Sequence, residues 1–461
     1  MQDLTTGPVS RHLLKTSSFM LVTMVFQTLY YLVDLYWVGR LGKEAVAAVA
    51  IAGNMMFVVL AASQMLGVGT TTLVSHAVGR KDRDEALAVF NQSQLLAILV
   101  GAAFFTFATA TTGIYIRSLS ADAVIARLAD DYLAYFIPAL ALQFGIVAMT
   151  AALRGIGNFK PGMVVQTATV VLNMVLAPIF IFGWGTGRPL GVAGAALATL
   201  VSIVLGSGWL LLYFLPADAF LRVTRHGWAP RPRVWVSIAK IGLPAGAEFA
   251  LMAVYLFVVY NVIRPFGASA QAGYGIGQRV VQALFMPVVA LGFSVAPVAG
   301  QNFGARKPDR VRETYWTALG MACGTMLVCT VLVYLAAAPM IRVFTADPSV
   351  VEVGAEYLRI LSWTFVLSGV VFISSSIFQA MGNTLPSLVT SFMRIVLVTV
   401  LAFVLAPRPG FQIRWVWYLS VASVALQAAL IAVLVRREFR VRLAAVGQAG
   451  PPFAKTPAGP Q

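Results

Sequence analysis

In a chain of 461 residues, a hydrophobic share of 59% and a charged share of 11% exclude an ordinary water-soluble fold. The formal net charge of +16 would suit a nucleic-acid partner, but the basic residues lie mainly in short segments between apolar runs, which points to membrane topology instead. Two cysteines and three scattered histidines (His12, His76 and His226) exclude a disulfide framework and a histidine-built metal or haem centre.

Apolar runs of roughly 20 residues or more, the length that crosses a bilayer as a helix, recur along the chain. They lie at about 12–38, 45–76, 87–113, 126–153, 161–183, 191–215, 238–264, 273–301, 312–341, 351–381, 387–407 and 411–436. The runs are continuous rather than alternating, which predicts twelve helices and not a barrel. Several exceed the minimum, so tilt, kinks or interfacial ends must absorb the excess. The first run is long and lacks a clear small-residue cleavage site, so it is expected to stay as a span. Cys323 and Cys329 share the ninth run and, six positions apart, face different sides, which predicts no bridge between them. The tail ending GPPFAKTPAGPQ is expected to be disordered.

With the N-terminus inside, Lys and Arg favour the inner segments over the outer ones by about two to one, which places both termini in the cytoplasm. The chain also repeats itself. A shift of 225 residues aligns Gly42 with Gly267, Ala45 with Ala270, Ile51 with Ile276, Gly79 with Gly304 and Asp84 with Asp309. It also aligns Tyr132 with Tyr357, Asn158 with Asn383 and Pro161 with Pro386. One ungapped offset across separate landmarks predicts two halves of six spans each, in the same orientation, with a substrate path at their interface. The expected division is an N-terminal lobe over 1–215, a basic cytoplasmic linker over 216–237, a C-terminal lobe over 238–440 and a tail over 441–461.

Of 17 acidic residues, Asp34 and Glu248 alone fall clearly inside predicted spans. Placing a charge there costs about 2.5–3.5 kcal/mol on insertion scales, so such residues usually face an interior or a cavity. Removal from water disfavours the charged form of a carboxyl group, which is the property a proton-coupled carrier requires. Asp34 has two readings, a coupling acid or an interfacial acid among Tyr30, Tyr31, Tyr36 and Trp37. Its repeat equivalent is Val259, so the scaffold does not demand an acid there. Glu248 reads either as a second ion or substrate site or as an ion pair with Arg279 or Arg394, the two basic residues inside spans. Asn173 is a candidate hydrogen-bond partner for Asp34, with interhelical glue as its other reading, and Thr199 and Gln166 are of the same type.

Asp34 with the following VGRLGKEAVAAVA, the loop Val74–Lys81, LRGIGNFKPGMVVQTATVVLNM and LGVAGAALAT resemble the multidrug and toxic compound extrusion (MATE) transporters. GLPAGAE, AGYGIGQR and PVAGQNFGARK extend the resemblance through the second half. It implies an all-α membrane protein of two six-helix lobes set in a V, exporting amphipathic, often cationic, compounds against inward proton or sodium flow. It further implies ion coupling at Asp34, Asn173 and Thr199, where relatives carry an Asp, an Asn and a Thr. Ala177 stands where many relatives have a second acid, which weakens a sodium cage, since a hard cation requires several oxygens. The stretch WTFVLSGVVFISSSIFQAMG of the tenth span has no acid, which favours a proton-driven, DinF-like reading.

The expectation is therefore a monomeric twelve-helix antiporter of the cytoplasmic membrane, coupled to protons, with sodium as the other candidate ion. Its partners are the bilayer and small amphipathic substrates, with no cofactor, resident metal or nucleic acid. A flippase for a lipid-linked or oligosaccharide substrate is the rival on the same scaffold, and Arg279 with Arg394 would serve its phosphate. A membrane enzyme and a passive channel are the rivals of other classes. The first lacks a catalytic constellation, and the second leaves the duplicated halves unexplained.

Overall fold

The computed structural model describes residues 2–120, 122–185, 187–216, 219–224 and 228–444. The tail beyond 444 and His226 lie outside the described residues. The first half contains α1 (Val9–Gly39), α2 (Lys43–Gly53), α3 (Met55–Gly79), α4 (Arg83–Leu119), α5 (Ala123–Gly155), α6 (Phe159–Phe182) and α7 (Val192–Tyr213). The second contains α8 (Pro232–Ile263), α9 (Ala268–Gly304), α10 (Pro308–Arg342), α11 (Pro348–Ser362), α12 (Phe365–Ala380), α13 (Leu385–Leu405) and α14 (Ile413–Glu438). Among the described residues there is no strand. Among the described residues eleven helices, with α2 and α3 counted together, are long and apolar enough to cross a membrane; α11 and α12, bent by 57°, bring the number to twelve if the pair is counted as one span. The chain is a multi-pass membrane protein. Cys323 and Cys329 are both free thiols.

Helix ends follow local chemistry. Asp82 caps α4 by accepting the Glu85 amide at 2.9 Å, and Asp122 caps α5 by accepting the Val124 amide at 2.7 Å. The corner between α3 and α4 turns through Lys81 at φ +60°, and that between α9 and α10 through Arg306 at φ +55°. These residues are 225 positions apart, so the repeat extends to a left-handed backbone conformation that non-glycine residues seldom adopt. It extends to side-chain contacts too. Asn158 donates to the Tyr213 hydroxyl at 2.9 Å, and 225 positions on Asn383 donates to the Glu438 carboxylate.

The chain forms two compact units. One comprises Met1–Asp3 and Phe19–Gly246, the other Leu4–Ser18 and Ala247–Gln461. This differs from a division at a free linker over 216–237, and the reasons are local. Leu4, Val9 and Leu13 are buried in the core of the second unit. There the Leu4 amide donates to Gln301 Oε1 at 3.0 Å, Asn302 donates to the Leu4 carbonyl, and Arg310 donates to the Gly7 carbonyl. In the first unit, Asn91 and Gln92 of α4 bind the backbone of Arg222, Thr224, Ala229 and Arg231. Adding 225 to 4–18 gives 229–243, which belongs to the first unit. The start of each half's first helix is thus assigned to the other half's unit.

The first part of α8 packs on α3 through Gly242 and Gly246, one turn apart. A Cβ at 242 would stand 1.9 Å from the Met65 carbonyl oxygen, and one at 246 would stand 2.5 Å from that of Ala61. Gly242→Ala must therefore separate the two backbones. The expected loss is about 1–3 kcal/mol, read as a lower unfolding temperature of the purified protein in detergent. An unchanged temperature would show that α8 is not held there.

Candidate functional site

In the first unit, α1, α6 and α7 bring polar groups together at one depth. Asn173 Nδ2 donates to Thr199 Oγ1 at 3.0 Å, and the Tyr30 hydroxyl lies 3.2 Å from the same oxygen. Thr199 donates its own proton to the Ala195 carbonyl one turn back, at 3.2 Å. A hydroxyl has one proton and two lone pairs, so Thr199 accepts from Asn173 and Tyr30 at once and is saturated. Asp34 follows Tyr30 by one turn on the same face of α1. Its Oδ1 is buried without a hydrogen-bond partner, and so is Oδ1 of Asn173.

Asn173 is therefore the partner of Thr199, not the expected direct partner of Asp34. Its amide nitrogen donates to the hydroxyl, no hydrogen bond joins it to Asp34 among the described residues, and its oxygen is an acceptor, which cannot bond an ionised carboxylate. Tyr30, which the sequence offered only as an aromatic neighbour of Asp34, is a member of the cluster. Its signal was the repeat, because the equivalent Tyr255 makes a like contact, 2.9 Å from Ser420 Oγ. Ala177 is buried one turn beyond Asn173 and offers no oxygen. At the equivalents of Asp34, Asn173 and Thr199, the second half carries buried Val259, Val398 and Val424.

Glu248 belongs to a different cluster, within the second unit. Its carboxylate accepts from Ser391 Oγ at 3.0 Å and Ser375 Oγ at 3.2 Å, and Ser387 is 2.8 Å from Ser375. Ser391 in turn accepts from Gln427 Nε2 at 3.1 Å, and Gln427 Oε1 accepts from Arg394 Nη1 at 3.3 Å. Among the described residues no ion pair involves Glu248, so the expected pairing with a span arginine is not made. Hydroxyl donors take the place of a cation, and Gln427 stands between the two charges. Arg279 is exposed and makes no described hydrogen bond to this cluster.

The first unit has a counterpart. A small cavity there is lined by Thr23, Thr150, Gly162, Gln166 and Arg154, with Phe19, Met20 and Met163 among the apolar walls. Shifted by 225, the first four become Glu248, Ser375, Ser387 and Ser391. The two halves thus have two equivalent positions along their helices, and each half places an acid at a different one. Among the described residues no group of three or more His, Cys, Asp or Glu could hold a metal ion.

Two repeated six-span halves with polar groups inside define the architecture of a secondary transporter. The MatE family pattern matches residues 20–179 and 244–404, one match in each half. The chain belongs to the MatE family. Over 417 residues it is 26% identical to the probable multidrug resistance protein YoeA of Bacillus subtilis, covering 89% of this chain and 90% of the relative. It is 26% identical over 406 residues to an FAD transporter of Shewanella oneidensis, covering 86% and 87%. Its fold is similar to that of a MOP superfamily transporter from Pyrococcus furiosus, with a TM-score of 0.86 at 25% identity over 96% of this chain and 98% of that one.

Thr199→Val keeps the side-chain volume and removes the acceptor that Asn173 and Tyr30 share. Leaving a buried donor unmatched costs about 1–3 kcal/mol, so the variant is expected to unfold at a lower temperature than Tyr30→Phe, which leaves the Asn173 bond in place. Equal unfolding temperatures would remove Thr199 from the centre of the cluster.

Proposed function

We propose that this chain is a proton-driven secondary exporter of amphipathic, often cationic, compounds, and not an enzyme. In this reading it lies in the cytoplasmic membrane as a monomer with both termini in the cytoplasm, where the excess of Lys and Arg meets anionic lipid. The multidrug resistance function in the name of its Bacillus subtilis relative supports the class of substrate.

One observation carries the coupling step: Asp34 Oδ1 and Asn173 Oδ1 are both buried acceptors without a donor. A proton on Asp34 converts one of them into a donor and removes a charge from the span. A sodium ion would instead need several oxygens, and position 177 supplies an alanine methyl. Protonation from the outer side then favours the state that releases substrate, and loss of the proton to the cytoplasm restores the state that binds it. Coupling follows because proton and substrate prefer different states. The flippase reading draws less support, because Arg279 is exposed and makes no described hydrogen bond to the Arg394 cluster.

In proteoliposomes with an imposed proton gradient, the wild type is expected to move ethidium uphill, and Asp34→Asn to reduce movement to the leak rate. A sodium gradient in place of the proton gradient is expected to drive none. Undiminished transport by Asp34→Asn would overturn the coupling step, and sodium-driven transport by the wild type would overturn the choice of ion.

A further inference from the structure

The cluster around Glu248 keeps two opposite charges apart. In a medium of low polarity, a carboxylate and a guanidinium in reach of one another gain most by direct contact. Here the carboxylate is met by two serine hydroxyls, and the guanidinium reaches it through Gln427 and Ser391 alone. Every donor in that chain points from Arg394 towards Glu248, so its bond dipoles align with the charges. Ser391 and Arg394 are three residues apart on α13 and leave the same face of the helix.

Both charged groups keep capacity for a ligand. Arg394 Nε is buried without an acceptor, although a guanidinium carries five N–H donors. The same guanidinium lies 4.9 Å from the ring centre of Tyr255, which offers a flat aromatic surface. Glu248, Ser391, Arg394 and Tyr255 are half-buried, so one side of the cluster is reachable. The scaffold does not need the charges. At the equivalents of Glu248, Ser391 and Arg394, the first half has Thr23, Gln166 and Thr169, while Tyr30 matches Tyr255.

Resting on the exporter reading above, we propose that this cluster is a bipolar substrate site. Glu248 receives the cationic end of a flat amphiphile, Arg394 receives its carboxylate through the Nε–H, and Tyr255 carries the rings between them. The substrate class is the aromatic zwitterion, a narrower group than cationic amphiphiles at large.

The test uses a matched pair of fluorescent probes, rhodamine B, which bears a carboxylate and a delocalised cation, and its ethyl ester, which lacks the carboxylate. Proton-driven transport of both is measured in proteoliposomes of the full chain. The wild type is expected to prefer the zwitterion, and Arg394→Gln to lower the ratio of zwitterion to ester by about tenfold, the size of one charge-assisted hydrogen bond. Arg394→Lys, which keeps the charge and loses the Nε–H, is expected to fall between them and serves where Arg394→Gln does not fold. Glu248→Gln is expected to slow both probes. A ratio unmoved by both Arg394 variants, or a wild type that moves the ester alone, would overturn the bipolar site and leave the exporter reading in place. A wild type that moves ethidium but neither rhodamine would overturn the bipolar site alone, and one that moves none of the three would overturn both.

Discussion

Hydrocarbon offers no hydrogen-bond partner, so polar atoms inside a span must be satisfied by the chain itself. The protein meets this constraint mainly within single helices. Thr23, Thr28, Thr169, Thr325 and Thr330 each return the hydroxyl proton to the carbonyl one turn back. Against that background, unsatisfied charged atoms are informative. Asp34 Oδ1 and Arg394 Nε are buried without partners, and each belongs to one of the two polar clusters. The cost of leaving them so is tolerable where a proton or a ligand group completes the set.

Duplication gives the same two positions twice, and the two halves fill them differently. One position holds Asp34, Asn173 and Thr199 in the first half and three valines in the second. The other holds neutral Thr23, Thr150 and Gln166 in the first half and Glu248, Ser375 and Ser391 in the second. A fully symmetric pair of acids would have made two copies of one site. The arrangement found makes two chemically different clusters on a common frame, one with a lone carboxyl group and one with opposed charges. Shared Tyr30 and Tyr255 mark what the frame itself requires.

The architecture was legible in the sequence because it rests on run length and on the 225-residue offset, both of which survive without knowledge of any contact. Asp34, Asn173 and Thr199 were legible as rare polar residues in apolar runs, and α1, α6 and α7 do bring the last two together with Tyr30. Which atom meets which was not, because donor and acceptor roles depend on rotamers: Asn173 turns its amide to Thr199, not to Asp34. The serines and Gln427 around Glu248 were hidden among many ordinary polar residues. Their signal was the pairing of Thr150 with Ser375 and Gln166 with Ser391 under the offset. The exchange of helix starts had no signal in composition, because Leu4, Val9 and Leu13 look like the start of any span.

That exchange bears on the order in which the molecule can be completed during synthesis. The segment 4–18 emerges before the remaining helices of both units, yet Gln301, Asn302 and Arg310, which bind its backbone, are made almost three hundred residues later. The second unit therefore cannot close on its first-made piece until α9 and the start of α10 have entered the membrane. The start of α8 waits for nothing, because α3 and α4 precede it. One exchange is filled at once and the other late, so segment 4–18 finds its place only after two thirds of the chain has been made.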